Sequence, residues 1–514
     1  MEILAFIIYF ALMLGIGIFF FLRSKNDGEK EYFLGGRSMG PWVTAMSAQA
    51  SDMSGWLLMG FPGSILAFGL GQVWIGIGLA LGTAANWIFV ARRLRRFSKA
   101  AGDSITLPQY LTNRFMSQSP VLKIVCAVIF LISFTVYVSS AFVAGKNVLC
   151  AVIPWFVGKE MLAMLFFALI ILVYTFLGGY KAVCWTDFFQ GLLMLVALLA
   201  VPIVMAGGNS DPSLAGAFAE GVKPFGTNPF TAPWQEIVTG LSWGLGYFGM
   251  PHIIVRFMAI EKPSMVKKSA TVAIVWVVLT LGAAAAMAII GRTYLFDNGT
   301  SLAATLLSTG TQQNIFIDVV QKLFPAFIAG LLLAAIVAAA MSTADSQLLV
   351  ASSSFTSDIY KPMLRKNKAS DKEVLWIGRL VVIVVSVVAF FIAASGLNNT
   401  SSWANSIMAM VENAWGLFGA SFGPVVILSL FWRRFNYAGA VSGIVAGALA
   451  DIAWLLLFTD TIMTPVIADT GVYEILPGFI VGLIVSVVAA LATKAPSDEV
   501  DAIFATATDK SIDD

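Results

Sequence analysis

The sequence predicts an all-α polytopic membrane protein of about 13 transmembrane helices around a 5+5 inverted-repeat core, with its N-terminus outside and its C-terminus cytoplasmic. Three observations lead there. Apolar residues make up 59% of the 514 and charged residues only 12%, against about 25% charged in soluble domains. Long stretches almost free of charge recur along the chain, each near the ~20 residues that a helix needs to cross the hydrocarbon core. Basic residues also favour alternate loops: one set holds 24 of the 31, the other 4, and Lys123, Lys322 and Arg379 lie at helix ends. The basic set marks the cytoplasmic side.

The apolar runs lie at 2–22, 42–66, 70–91, 121–145, 161–178, 183–206, 235–255, 270–291, 314–342, 374–394, 403–431, 436–459 and 474–493. An odd number of crossings places the two termini on opposite sides. Met1-Glu2 followed by apolar residues lacks the basic start of a cleaved signal peptide, so the first run reads as a retained helix. The 45 glycines suit close helix packing, and the alternating ~10-residue strands of a membrane barrel are not seen. Basic clusters such as Arg92-Arg93-Leu94-Arg95-Arg96 read as topology anchors rather than nucleic-acid or lipid sites. Cys126, Cys150 and Cys184 have no metal spacing and read as small core residues. The polar tail from Lys494 to Asp514 reads as a short disordered end.

Two runs are poor helices. The second contains Ser51-Asp52-Met53-Ser54-Gly55, and the seventh has glycines at 240, 244, 246 and 249 followed by Pro251. Both should unwind partway across the bilayer, which is tolerated only beside a cavity or inside protein. The breaks lie five helices apart. The chain then divides into a first helix and loop (1–41), a first repeat of helices two to six (42–206), an inverted second repeat of helices seven to eleven (235–431), helices twelve and thirteen (432–493) and a cytoplasmic tail (494–514). Inverted repeats put their site at the midplane, between broken helices.

Polar groups inside apolar runs carry functional hypotheses by default. Asp52 reads either as a helix–helix hydrogen bond or as part of a cation or substrate site. Asp187 reads either as an interfacial N-cap or as a site residue. Ser342, Thr343, Asp345 and Ser346 cluster where the ninth run ends. Hydroxyl and carbonyl oxygens are hard ligands suited to a hard cation, and combined with the break at Asp52 the ion-site reading prevails over plain packing. Glu412 and Asp451 receive no role, and Asn413 stands beside Glu412 as a partner for it. His252, the one histidine, reads as structural and weakly disfavours a proton relay. Trp56, Tyr137, Trp243 and Tyr247 near the breaks suit a small zwitterion with an apolar body: an ammonium over a ring face, a carboxylate at a freed helix N-terminus.

The stretches Leu34-Gly35-Gly36-Arg37-Ser38-Met39-Gly40-Pro41, Ala50-Ser51-Asp52-Met53-Ser54-Gly55-Trp56-Leu57-Leu58-Met59-Gly60, Trp185-Thr186-Asp187, Trp243-Gly244-Leu245-Gly246-Tyr247-Phe248-Gly249 and Ala339-Ala340-Met341-Ser342-Thr343 occur in that order. In them the chain resembles the sodium/solute symporter family over nearly its whole length, and within it the bacterial members that carry L-proline. The resemblance implies a LeuT-type core and sodium-coupled uptake of proline across the bacterial inner membrane, with sodium as the coupling ion. It implies sodium ligands at the carbonyls of Ala50, Met53 and Ala339 and the hydroxyls of Ser342 and Thr343. Asp52, Ser54 and Arg37 support sodium coupling by the same analogy. Tyr137, Trp243, Tyr247 and Pro251 match positions associated with proline, and Trp56 and Gly55 join them as weaker candidates. Asp345 departs from the family pattern, which has a neutral residue there. With Ser346 and Asp187 it forms a second sodium site, or else it is a cytoplasm-facing acid at a helix end.

Other cargoes of the same class, a monocarboxylate, a sugar or pantothenate, remain the alternative. A sugar site should show several amide or acidic side chains at the breaks, and these show aromatics and glycine. A channel would need a continuous pore. No metal cluster, phosphate loop or catalytic triad suggests an enzyme. A monomer in the lipid bilayer, with no nucleic-acid partner, is expected.

Overall fold

The computed structural model describes residues 1–23, 28–177, 179–215, 226–397 and 402–509. Among them the regular structure is helical, with only isolated β-bridges besides. Among the described residues ten helices are long and apolar enough to cross a membrane, and each overlaps one of the expected runs. The expected runs at 161–178, 42–66 and 235–255 hold a shorter helix, Glu160–Leu177, and two interrupted ones. Large apolar side chains such as Leu12, Phe189 and Phe391 stand exposed on the outside. In water such a surface would be untenable, so the chain is a multi-pass membrane protein. All three cysteines are free.

The first break follows helix Pro41–Asp52. Met53 leaves helical geometry (φ −85°, ψ 80°), and the chain resumes through a wide turn at Trp56–Gly60 into helix Phe61–Phe68. The second falls between helices Trp234–Ser242 and Pro251–Ala259, joined by a tight turn at Trp243–Phe248. Pro251 opens the later helix, where its missing N–H costs nothing. Helix Val73–Ala85 lies backbone to backbone against this second break. A Cβ on Gly78 would stand 2.2 Å from the Gly240 carbonyl oxygen, and one on Gly82 2.4 Å from that of Gly244. Only glycine permits that approach.

Helix Ala326–Ser353 forms the axis of the bundle. Every residue from Leu332 to Ser353 is buried, as expected of a helix enclosed on all sides. It packs against helices Glu2–Arg23, Val121–Val152, Tyr180–Ala206 and Pro41–Asp52.

Four expectations need correction. The run at 314–342 is two helices, Ile315–Leu323 and Ala326–Ser353, because Pro325 holds Phe324 extended (φ −115°, ψ 145°). The axial helix also continues eleven residues past Ser342; its polar residues face neighbouring helices rather than water. Asp187 is no N-cap: helix Tyr180–Ala206 begins at Tyr180 behind Gly179, two turns earlier. Finally, the tail is not disordered through 494–509. Ser497 caps helix Asp498–Thr508, which packs on helix Arg92–Ala100; residues 510–514 lie outside the described residues.

Candidate functional site

The two breaks and the axial helix meet in one buried region. Beyond Asp52 the helical ladder fails: Ser54 N–H bonds to the Asp52 carbonyl (3.1 Å), and Leu57 N–H to the Ser54 carbonyl (3.1 Å). In an unbroken helix those donors would serve Ala50 and Met53. The Ala50 carbonyl instead accepts from Ser342 Oγ at 2.7 Å, and Ser342 Oγ also reaches the Ala339 carbonyl at 3.2 Å. Thr343 Oγ1 is buried without a hydrogen-bond partner. A buried hydroxyl left unsatisfied is costly, and this one belongs to the residue that follows Ser342 on the axial helix. The donor set consists of hard oxygens only, which fits sodium.

Asp52 joins the breaks. Its Oδ2 accepts from Tyr247 Oη at 2.6 Å, and its carbonyl accepts from Tyr137 Oη and Trp56 Nε1, each at 3.3 Å. The side chain of Asp52 is fully buried and its Oδ1 has no partner. Ser54 shapes the turn, its Oγ accepting from Trp56 N–H at 3.5 Å. Gly55 is required by close approach, since a Cβ there would stand 2.7 Å from the Ala144 Cβ.

Around this hub lie the buried aromatics Trp56, Tyr137, Trp243 and Tyr247, with Pro251 buried beside the second break. Trp243 Nε1 is buried and unpartnered. Two further residues hold this region, and the sequence reading missed both. Trp415 Nε1 donates to the Trp243 carbonyl (2.8 Å), and its ring lies 6.5 Å from Trp243 and edge-on to Tyr247 at 5.0 Å. Asn86 Nδ2 donates to the Tyr247 carbonyl (2.9 Å). A lone Asn inside an apolar run was a usable signal; a tryptophan inside one was not.

A cavity of about 700 Å³ is lined by Gly60 and Trp243 from the breaks, by Glu412, and by loop residues such as Asn228, Gln313, Ser406 and Gly471. Asn413 does not serve Glu412, for both its side-chain polar atoms are buried without partners. His252 packs against Phe134 and Tyr137, with ring centroids 5.7 and 6.3 Å away.

Arg37 is not brought to the oxygen cluster. It donates to the carbonyls of Met258 (2.5 Å) and Ser104 (2.8 Å) and to Ser98 Oγ (3.2 Å), and pairs with Asp103 at 2.7 Å. Arg95 Nε donates to the Ile260 carbonyl at 2.7 Å. Together they tie the end of helix Pro251–Ala259 to helix Arg92–Ala100 and the loop after it.

Asp187, Asp345 and Ser346 do come together, all essentially without exposure. Asp345 therefore does not face the cytoplasm. Among them stands Arg256, one residue beyond the expected run at 235–255. It lies inside helix Pro251–Ala259, 1% exposed. Its signal was an arginine with three apolar residues before it, Ile253 to Val255, and four after it, Phe257 to Ile260.

The sodium:solute symporter family profile matches residues 32–447. Curated relatives include the sodium/proline symporters of Staphylococcus aureus strains JH9 and COL, each 43% identical over 493 residues, 95% of this chain and 92% of theirs. Among solved structures, a Na+-coupled sialic acid symporter in a substrate-bound outward-open state superposes with a TM-score of 0.69 at 20% identity, over 96% of this chain and 98% of its own. A nucleobase-cation-symport-1 family transporter in a closed conformation gives 0.55 at 16% identity, over 94% and 99%. These two likenesses concern the fold.

Proposed function

The chain belongs to the sodium:solute symporter family, and we propose that it takes up L-proline with sodium by alternating access. It is a transporter, not an enzyme. The observation that carries the coupling is the Ser342 Oγ to Ala50 carbonyl contact, which joins the helix that ends at the first break to the axial helix, with the buried Thr343 hydroxyl of the next residue left without a partner. Proline as cargo is supported by the naming of the relatives and by a pocket of aromatics around Asp52.

In this reading the carbonyls of Ala50, Met53 and Ala339 and the hydroxyls of Ser342 and Thr343 hold sodium. The ion ties broken helix Pro41–Asp52 to the axial helix. That fixes the turn at Met53–Gly55, and with it the Asp52 hub on which Trp56, Tyr137 and Tyr247 hang. Trp243 and Tyr247 cover the proline ring, and Trp56, Tyr137, Gly55 and Pro251 complete the pocket. Sodium thereby strengthens solute binding, and linkage requires the converse. The cavity reaching Gly60 and Trp243 is the entry from outside. The Arg37 and Arg95 contacts close the cytoplasmic exit, so the arrangement is outward-facing. One charge crossing 100 mV supplies about 2.3 kcal/mol, roughly a fifty-fold solute gradient at 1.36 kcal/mol per decade.

Thirteen crossings, an N-terminus outside, a LeuT-type 5+5 repeat spanning 42–206 and 235–431, residence in the bacterial inner membrane and a monomeric state complete the reading. The test is labelled L-proline uptake into proteoliposomes under an inward sodium gradient, with potassium replacing sodium as control. Sodium-dependent accumulation, lost in Trp243→Ala, supports it. Sodium-driven uptake of a monocarboxylate or sugar, with none of proline, would replace the cargo and leave the coupling.

A further inference from the structure

Beyond the sodium ligands, one charged cluster lies wholly inside the bundle. Arg256 donates from Nη2 to Asp187 Oδ2 (3.2 Å) and Ser346 Oγ (2.5 Å), from Nε to Ser47 Oγ (3.2 Å), and from Nη1 to the His252 carbonyl (2.7 Å). Ser47 Oγ also donates to Asp187 Oδ2 at 2.7 Å, and Ser346 Oγ lies 3.3 Å from Asp345 Oδ1. The guanidinium sits 5.5 Å over the Tyr180 ring. Asp187 Oδ1 and Asp345 Oδ2 are buried without partners.

The oxygens of this cluster come from three helices, and Arg256 comes from a fourth. Two carboxylates and two serine hydroxyls make an oxygen set for a small hard cation. The position is not open to one, because a guanidinium already stands among these oxygens. Its planar fork carries five donors in fixed geometry and reaches several of them at once. Charges buried in a membrane persist only when paired.

We propose that Arg256 is the resident cation of the Asp187–Asp345 cluster, standing where a second sodium would bind, so that the protein moves one sodium per solute. This rests on the sodium-coupled reading above. A cation that is part of the chain is never released, so it contributes no ion to the transport cycle. It ties the second half of one broken helix to helices Pro41–Asp52, Tyr180–Ala206 and Ala326–Ser353, as sodium ties the other. It also gives Asp345 a reason to be present inside the bundle: a fixed positive charge in the same cluster.

The test counts sodium in two ways on the full chain. The reversal potential of proline flux in proteoliposomes gives the charge moved per proline, and labelled sodium bound to purified protein without proline gives the number of sites. The wild type should move one charge and bind one sodium. Arg256→Gln should bind two, Arg256→Gln with Asp345→Asn should return to one, and Arg256→Lys should stay at one. A wild type that moves two sodium ions per proline overturns the proposal, and that result needs no variant to fold. So does an Arg256→Gln protein that binds a single sodium. Wild-type proline uptake without any sodium dependence would instead remove the symport reading on which the proposal rests.

Discussion

At the level of single residues, the break at Met53 and the hydroxyls opposite it matter most. Thr343 Oγ1 has no hydrogen-bond partner within the protein, so in the proposed site its removal would cost the ion a ligand and leave the fold little changed. A hydrogen bond or ligand contact to a charged group contributes about 1.5–3 kcal/mol, roughly 10- to 150-fold in affinity at 1.36 kcal/mol per decade. Thr343→Ala should therefore raise the sodium concentration for half-maximal proline uptake by that factor while the protein stays folded. An unchanged sodium dependence would remove Thr343 from the site. Tyr247→Phe deletes the donor to Asp52 Oδ2 and leaves a fully buried carboxylate with neither oxygen bonded by a side chain. It should weaken proline binding by a similar factor, read from equilibrium binding at saturating sodium. Binding equal to wild type would show that the Asp52 hub does not organise the pocket.

At the level of elements, the breaks were legible because Ser, Asp and Gly in an apolar run have no other use, and glycines followed by proline cannot sustain a helix. The five proposed sodium ligands came from resemblance; the structure adds the Ser342 contacts to the carbonyls of Ala50 and Ala339, which bring three of the five together. The axial helix was cut short at Ser342 because polarity was taken for an exit from the membrane. Arg256 escaped notice because it falls one residue past the expected run at 235–255, where a basic residue is unremarkable. Sequence polarity reports what a side chain needs, not whether water or another helix supplies it. The tail shows this too. Phe504 packs edge-on to Phe97 at 5.3 Å, Arg114 lies 5.2 Å over the Phe504 ring and donates to the Val500 carbonyl at 3.2 Å, and Arg433 pairs with Asp501. None of those partners is near in sequence. Phe504→Ala should lower stability by up to about 3 kcal/mol, seen as a lower thermal midpoint in detergent; an unchanged midpoint would mean the tail helix is undocked. The Arg433 hydrogen bond and charge hold the Asp501 carboxyl below its ordinary range. A depressed carboxylate stabilises above the unfolded value of about 3.9 and loses that contribution as pH falls through the lower folded value. Docking through this pair should be flat from pH 6 to 8 and weaken only in strong acid.

At the level of the whole molecule, two broken helices face an axial helix that is buried all round, with a cavity at one side of the breaks and arginine-to-carbonyl contacts at the other. The Gly78 and Gly82 approach locks helix Val73–Ala85 to the second break, so these elements are suited to move as a unit against the axial helix. The central claim is that sodium organises the solute pocket by tying helix Pro41–Asp52 to helix Ala326–Ser353. The most direct measurement is equilibrium binding of labelled L-proline to the purified protein in sodium and in potassium, paired with sodium binding with and without proline. The account predicts that sodium tightens proline binding and that proline tightens sodium binding by the same factor, with both effects lost in Ser342→Ala. Proline bound equally well in potassium would contradict it.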